Sequence, residues 1–332
     1  MSIIEKAAGK LAKMGKAGNL PSEDHVEPAL DDNPGIIEKA ASKRLNHVVA
    51  RMDPSFEEIL PEGSPHPHPT TADRMEKGGI GTSPSPSMQE RTQKQGTINL
   101  EKLRLAGMIT PDSDRTPIAE AFRLIKRPLL ANSFHNGTDK SNNHNLIMVT
   151  SALAEEGKTF CATNLAMSIA MELDHTVLLV DADVARPSVL EYLGLEPSPG
   201  LLDVLLEDKL DLADVLIRTN VEKLAILPAG SKHKRATELL GSHAMSDLLK
   251  EIAQRYPDRI VIFDAPPLLL TSEAQALASQ MGQIVMVVEA ETTPQKAVME
   301  ALRQIESCDT VNFIYNKARP FPGGDFYGYY YN

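Results

Sequence analysis

Four apolar residues, Leu146-Ile147-Met148-Val149, run almost directly into Ala152-Leu153-Ala154-Glu155-Glu156-Gly157-Lys158-Thr159, and a helix-forming stretch opens at Thr159. A buried strand, a short loop ending Gly-Lys-Thr and a helix form the context in which a chain wraps phosphate. Amide groups of the loop and of the first helical turn point at the anion, and the helix dipole favours its charge. In such a loop Lys158 reaches the β- and γ-phosphates, and the Thr159 hydroxyl is placed for Mg²⁺. The general pattern has glycine where Ala152 stands, so the motif needs support from elsewhere in the chain.

Two acidic segments supply it. Val180-Asp181-Ala182-Asp183-Val184-Ala185-Arg186 follows the apolar run Thr176 to Val180, and Asp264 ends the run Arg259 to Phe263. Ligands of an open parallel sheet bind beyond the carboxyl ends of its strands, so motifs that each follow a strand can share one crevice. Mg²⁺ takes oxygen ligands, commonly one or two carboxylates together with phosphates. Aspartates that merely cap following helices would explain one of these positions but not the set. Further strands are expected at Leu224 to Leu227, Gln283 to Val288 and Val311 to Tyr315. Helices are expected at Thr159 to about Leu173, Thr237 to Arg255 and Pro294 to Glu306. Contiguous Val, Ile and Leu without alternation indicate strands buried on both faces. Alternation of such strands with helices gives an α/β P-loop NTPase fold, a mainly parallel sheet flanked by helices.

Composition divides the chain. Ten of the 23 prolines lie between Pro21 and Pro86, including Ser64-Pro65-His66-Pro67-His68-Pro69. Such a stretch buries too little apolar surface to offset its ordering entropy. Residues 1–45 are expected to be a short helical docking segment, 46–97 a disordered linker, 98–318 the folded domain and 319–332 a flexible tail. Ile3-Ile4-Glu5-Lys6-Ala7-Ala8 recurs as Ile36-Ile37-Glu38-Lys39-Ala40-Ala41. Each copy can form a short amphipathic helix, suited to a protein partner or an anionic membrane surface. The tail carries Tyr327, Tyr329, Tyr330 and Tyr331, four of the seven tyrosines, among Gly323, Gly324 and Gly328.

The net charge is −11, which argues against nucleic-acid binding through a general field. Two cysteines, Cys161 and Cys308, are too few for a disulfide scaffold and fit a reducing cytosol. No apolar run reaches the length of a membrane span. The expectation is a cytoplasmic chain that can dock peripherally at the inner face of the inner membrane.

The order Gly-Lys-Thr, Asp-x-Asp, apolar-Asp-x-Pro-Pro resembles the bacterial P-loop tyrosine kinases of exopolysaccharide biosynthesis, over about residues 100–332. Ser2-Ile3-Ile4-Glu5-Lys6-Ala7 and Ile125-Lys126-Arg127-Pro128-Leu129-Leu130 are similar to the exosortase-associated (PEP-CTERM/XrtA) autokinases. The resemblance implies ATP and Mg²⁺ as cofactors. Glu156, Gly157, Lys158 and Thr159 then belong to Walker A, Asp181 and Asp183 to Walker A′, and Asp264 to Walker B. Asn316 stands at the adenine-reading position. Lys158, Asp181 and Asp183 take catalytic roles, and Thr159, Asp181 and Asp264 hold the metal. Glu120, Arg123 and Arg127 form one face of a ring-assembling helix, and Tyr327, Tyr329, Tyr330 and Tyr331 are autophosphorylated. A membrane chain-length-determinant protein is the implied activator. Two positions depart from the family: Glu155 replaces a glycine of the loop, and Ala185 stands where arginine is usual. The alternatives are a MinD/ParA-type ATPase, whose extra lysine would fall at Leu153, and a nucleotide-gated scaffold with weak catalysis, which Glu155 would favour.

Overall fold

A computed structural model describes residues 46–48, 94–112, 116–134, 143–207, 209–256 and 258–319. The strands are β1 (Asn46–Val48), β2 (Lys94–Gly96), β3 (Leu146–Ser151), β4 (Thr176–Asp181), β5 (Ile217–Thr219), β6 (Leu224–Leu227), β7 (Arg259–Asp264), β8 (Gln283–Glu289) and β9 (Val311–Asn316). The helices are α1 (Leu100–Leu105), α2 (Pro117–Phe134), α3 (Lys158–Ala170), α4 (Val189–Leu193), α5 (Leu201–Leu206), α6 (Leu212–Val215), α7 (Ala236–Leu240), α8 (His243–Arg255), α9 (Ser272–Ala278) and α10 (Gln295–Gln304).

These strands form one nine-stranded sheet in the order β1-β9-β8-β3-β7-β4-β6-β5-β2. Every pairing is parallel except β5 with β6. The period of two along each strand sends alternate residues to opposite faces. Ile147 and Val149 join Phe122, Ile125 and Leu129 of α2 and Leu165 of α3 on one face. Leu146 and Met148 join Met245, Leu249 and Ile252 of α8 and Ala301 of α10 on the other. Full burial of a side chain the size of Phe122 contributes about 1.5–3 kcal/mol, so the two apolar layers fix the sheet between the helices.

The six central strands match the apolar runs of the sequence. Three differences stand out. The stretch Thr237 to Arg255 is two helices, because the chain turns at Gly241 and Ser242 restarts it, its hydroxyl accepting from the Met245 amide at 3.1 Å. The proposed linker 46–97 has a strand at each end, β1 against β9 and β2 against β5, each too short for periodicity to reveal. The folded domain also starts earlier than residue 98, since Lys94–Gly96 pairs into the sheet. The docking segment, most of the linker and the tyrosine tail lie outside the described residues. No helix among the described residues is long and apolar enough to cross a membrane.

Candidate active site

β3, β7 and β4 are neighbours in the sheet, so their carboxyl ends bring the Gly-Lys-Thr loop, Asp264 and the Asp181/Asp183 pair to one place. Asp181 and Asp264 are register partners on adjacent strands. The loop reverses through two left-handed residues, Glu155 at φ 64° and Gly157 at φ 86°. Gly157 has a second constraint: a Cβ there would lie 2.0 Å from Nδ2 of Asn316. α3 then starts at Lys158, with its amide end directed into the crevice.

The Thr159 hydroxyl donates to Oδ2 of Asp264 at 2.7 Å and lies 3.1 Å from the Ser188 hydroxyl. Oδ2 of Asp181 accepts from the amides of Ser188 and Val189 at 3.0 and 2.9 Å. Oδ1 of Asp181 and Oδ1 of Asp264 are buried and have no hydrogen-bond partner. Burial pushes Asp264 up to about 7; its hydrogen bond from Thr159 opposes this and the charge of Asp181 adds to it. Burial likewise raises Asp181 to about 6, against the pull of backbone amides, those of Val189 and Ser188 foremost, while the charge of Asp183 adds to the rise. Asp183 is raised by burial and restrained by Lys158, whose Nζ lies 3.8 Å from its Oδ2.

Two unpartnered carboxylate oxygens beside a hydroxyl are what a hard, oxygen-seeking cation requires, so the site fits Mg²⁺. Among the described residues no three His, Cys, Asp or Glu side chains form a metal cluster by themselves. A cation here would therefore complete its shell with phosphate oxygens and water.

The expected site residues are placed as follows. Lys158, Thr159, Asp181, Asp183 and Asp264 converge. Glu156 departs from a phosphate-binding role in its side chain. It is buried, and its carboxylate accepts from the Leu153 amide at 2.6 Å, the Glu289 amide at 3.4 Å and the Thr293 hydroxyl. An anion turned inward leaves the crevice side of the loop free of its charge and braces the loop from beneath. Asn316 also braces it: Nδ2 donates to the Glu156 carbonyl at 2.9 Å, and Oδ1 accepts from the Lys317 amide. A base-reading contact by Asn316 would use its second amide hydrogen or lone pair. Glu120 and Arg123 pair with each other at 3.0 Å on the outer side of α2, where Arg127 is also exposed. Lys126 turns inward instead. Leu153 packs against the core. Sequence reading missed Ser188, Thr293, Glu289 and Lys317. Ser188 lies five residues past Asp183, close enough to have been suspected. The others reach the loop only through the sheet.

The AAA domain family matches residues 145–316. Tyrosine-protein kinase YwqD of Bacillus subtilis is 34% identical over 162 residues, 49% of this chain and 67% of that protein. The chain belongs to the bacterial tyrosine-protein kinases. This kinase-family chain is also 32% identical over 197 residues to the succinoglycan biosynthesis transport protein ExoP of Rhizobium meliloti, covering 58% of this chain and 24% of that one. It spans less than half the length of several of the curated relatives it matches. Among solved structures it superposes on the chimerical protein CapA2B2 with TM-score 0.54 at 25% identity, covering 68% of this chain and 95% of that one.

Proposed function

We propose that this chain is a protein-tyrosine autokinase that transfers the γ-phosphoryl group of Mg-ATP to its own Tyr327, Tyr329, Tyr330 and Tyr331. The observation that carries the reading is the pair of buried, unpartnered oxygens of Asp181 and Asp264 beside Thr159, at the end of a glycine-lysine-threonine loop. Mg²⁺, when bound with the nucleotide, neutralises phosphate charge. Lys158 stabilises the transferring group, and Thr159 and Asp264 orient the cation end of the site. The tyrosine oxygen bonds to the γ-phosphorus as the bridge to the β-phosphate breaks, and the phenolic proton passes to a carboxylate. Asp183, beside Lys158, suits that last role better than Asp181, whose unpartnered oxygen is assigned to the cation; Oδ1 of Asp183 accepts from the Arg186 amide at 3.1 Å and leaves Oδ2 for the proton.

The Asp-x-Asp and Asp-x-Pro-Pro resemblance and the succinoglycan relative support a place in exopolysaccharide synthesis. Residues 2–7 and 125–130 support the exosortase-associated branch. In this reading a membrane chain-length-determinant protein activates the kinase at the cytoplasmic face, and a ring of copies presents one tail to the next active site. A MinD/ParA-type ATPase needs only water as acceptor and has no use for clustered tyrosines; the packed Leu153 occupies its lysine position. The test is mass spectrometry after incubation with Mg-ATP and the activating partner. Phosphate is expected on the tail and absent from Lys158→Met, and changing all four tail tyrosines to Phe should remove most of the label while sparing ATP binding. Label confined to Tyr192, Tyr256 or Tyr315, or hydrolysis alone, would overturn the reading in favour of the ATPase.

A further inference from the structure

Glu155 sits in the left-handed region at φ 64°, within the turn that wraps phosphate. A side chain in that conformation is disfavoured relative to glycine, because its Cβ crowds the backbone. The turn therefore needs a compensating restraint, and the structure holds one. The ammonium of Lys317 donates to the Glu155 carbonyl at 3.0 Å and faces Oε2 of Glu289 at 3.5 Å. Asn316, its neighbour in the chain, donates to the next carbonyl, that of Glu156. Adjacent residues at the end of β9 thus grip adjacent carbonyls of the loop, 162 and 160 positions away in sequence. The same corner holds the loop from the side-chain direction, since the Glu289 amide donates to the Glu156 carboxylate. Carbonyls drawn to one side favour amides at the turn that point to the other, toward an anion, while the Leu153 amide is taken by the Glu156 carboxylate. Lys317 is itself left-handed, at φ 55°, so its own backbone conformation is part of this arrangement.

We infer that Lys317 is a positioning residue of the phosphate loop, holding the Glu155 turn in the shape that a glycine would otherwise adopt unaided. The inference rests on the nucleotide-binding reading above. Lys317 holds the loop main chain, so it acts on affinity through loop geometry.

The test is a double-mutant cycle on the full chain, read by titration with Mg-ATP and by kinetics. Lys317→Ala should raise the dissociation constant about tenfold, the size expected for a lost hydrogen bond from a charged donor. KM for ATP should rise similarly while kcat at saturating ATP stays within about twofold, since binding rather than the transition state is affected. Lys317→Arg, which keeps a cationic donor, should recover most of the affinity. Removing the ammonium in a Glu155→Gly background should cost far less, because glycine needs no restraint there. Without nucleotide, amide exchange across residues 153–157 should be faster in Lys317→Ala than in the parent. Parent-like affinity in Lys317→Ala, or an equal loss with Glu155→Gly, overturns the role while leaving the kinase reading standing. If the unsubstituted chain binds no Mg-ATP, the functional reading falls and this role falls with it.

Discussion

At Asp264 the fold places a carboxyl where neither water nor a full set of donors reaches it, and its proton affinity rises accordingly. An ordinary aspartate titrates near 3.8, whereas Asp264 is held at about 7, so between those values the folded chain binds a proton that the unfolded chain does not. The resulting stabilisation is complete below the lower value and is lost as pH rises through the upper one. Asp181, at about 6, acts in the same direction. The thermal midpoint of nucleotide-free protein should therefore fall as pH is raised from about 5 to about 8. Asp264→Asn should flatten that profile, and a parent profile that rises across the range would contradict the assignment. Asp181 and Asp264 were legible in the sequence because each ends an apolar run, and Asp183 because it follows two residues later. Their unpartnered oxygens were not, because hydrogen-bond supply depends on Thr159, Ser188 and Val189 meeting them across strand ends.

At the scale of elements, α2 shows one stretch serving two surfaces. Glu120 and Arg127 are exposed and Arg123 is half-buried, while Lys126 is buried and donates to the Ser168 carbonyl at 2.6 Å, with Glu172 at 2.5 Å. Lys126 thus pins α2 to α3, the helix that opens at the phosphate loop. Lys126→Ala should lower stability by about 1–3 kcal/mol, because it leaves a buried carbonyl unsatisfied; denaturant unfolding measures it. Replacing Glu120 and Arg123 with Ala should do little to stability, since exposed pairs contribute about 0–1 kcal/mol. In our proposal it should instead shift the sizing profile of the activated protein toward monomer, and an unchanged profile would count against a ring held by this face. Charge spacing alone placed Glu120, Arg123 and Arg127 together, whereas the inward turn of Lys126 required the position of α3. Likewise, Gly241-Ser242 carried a turn and cap signal inside what otherwise reads as one amphipathic helix.

Across the whole molecule, the site lies in the middle of the sheet and the additions lie at its edges. β1 is separated from β3 by β9 and β8. Removing residues 1–93, and with them β1, should leave Mg-ATP affinity within about twofold, as expected for distant, independent parts. A larger loss in calorimetric titration would make the edge strand part of the site. The parallel α/β class, the central strands and the residues that converge on the loop were readable from the chain alone, because each is written locally, in contiguous apolar runs bounded by Gly, Lys and Asp. What supports them follows from strand order. Strand order sets β9 beside β8 and brings Asn316 and Lys317 beneath a loop some 160 residues earlier. It also turns Glu156 inward to Thr293 and Glu289. Contacts of that separation leave no periodic trace in the chain. They exist because burying the two faces of the sheet fixes which strand ends stand side by side.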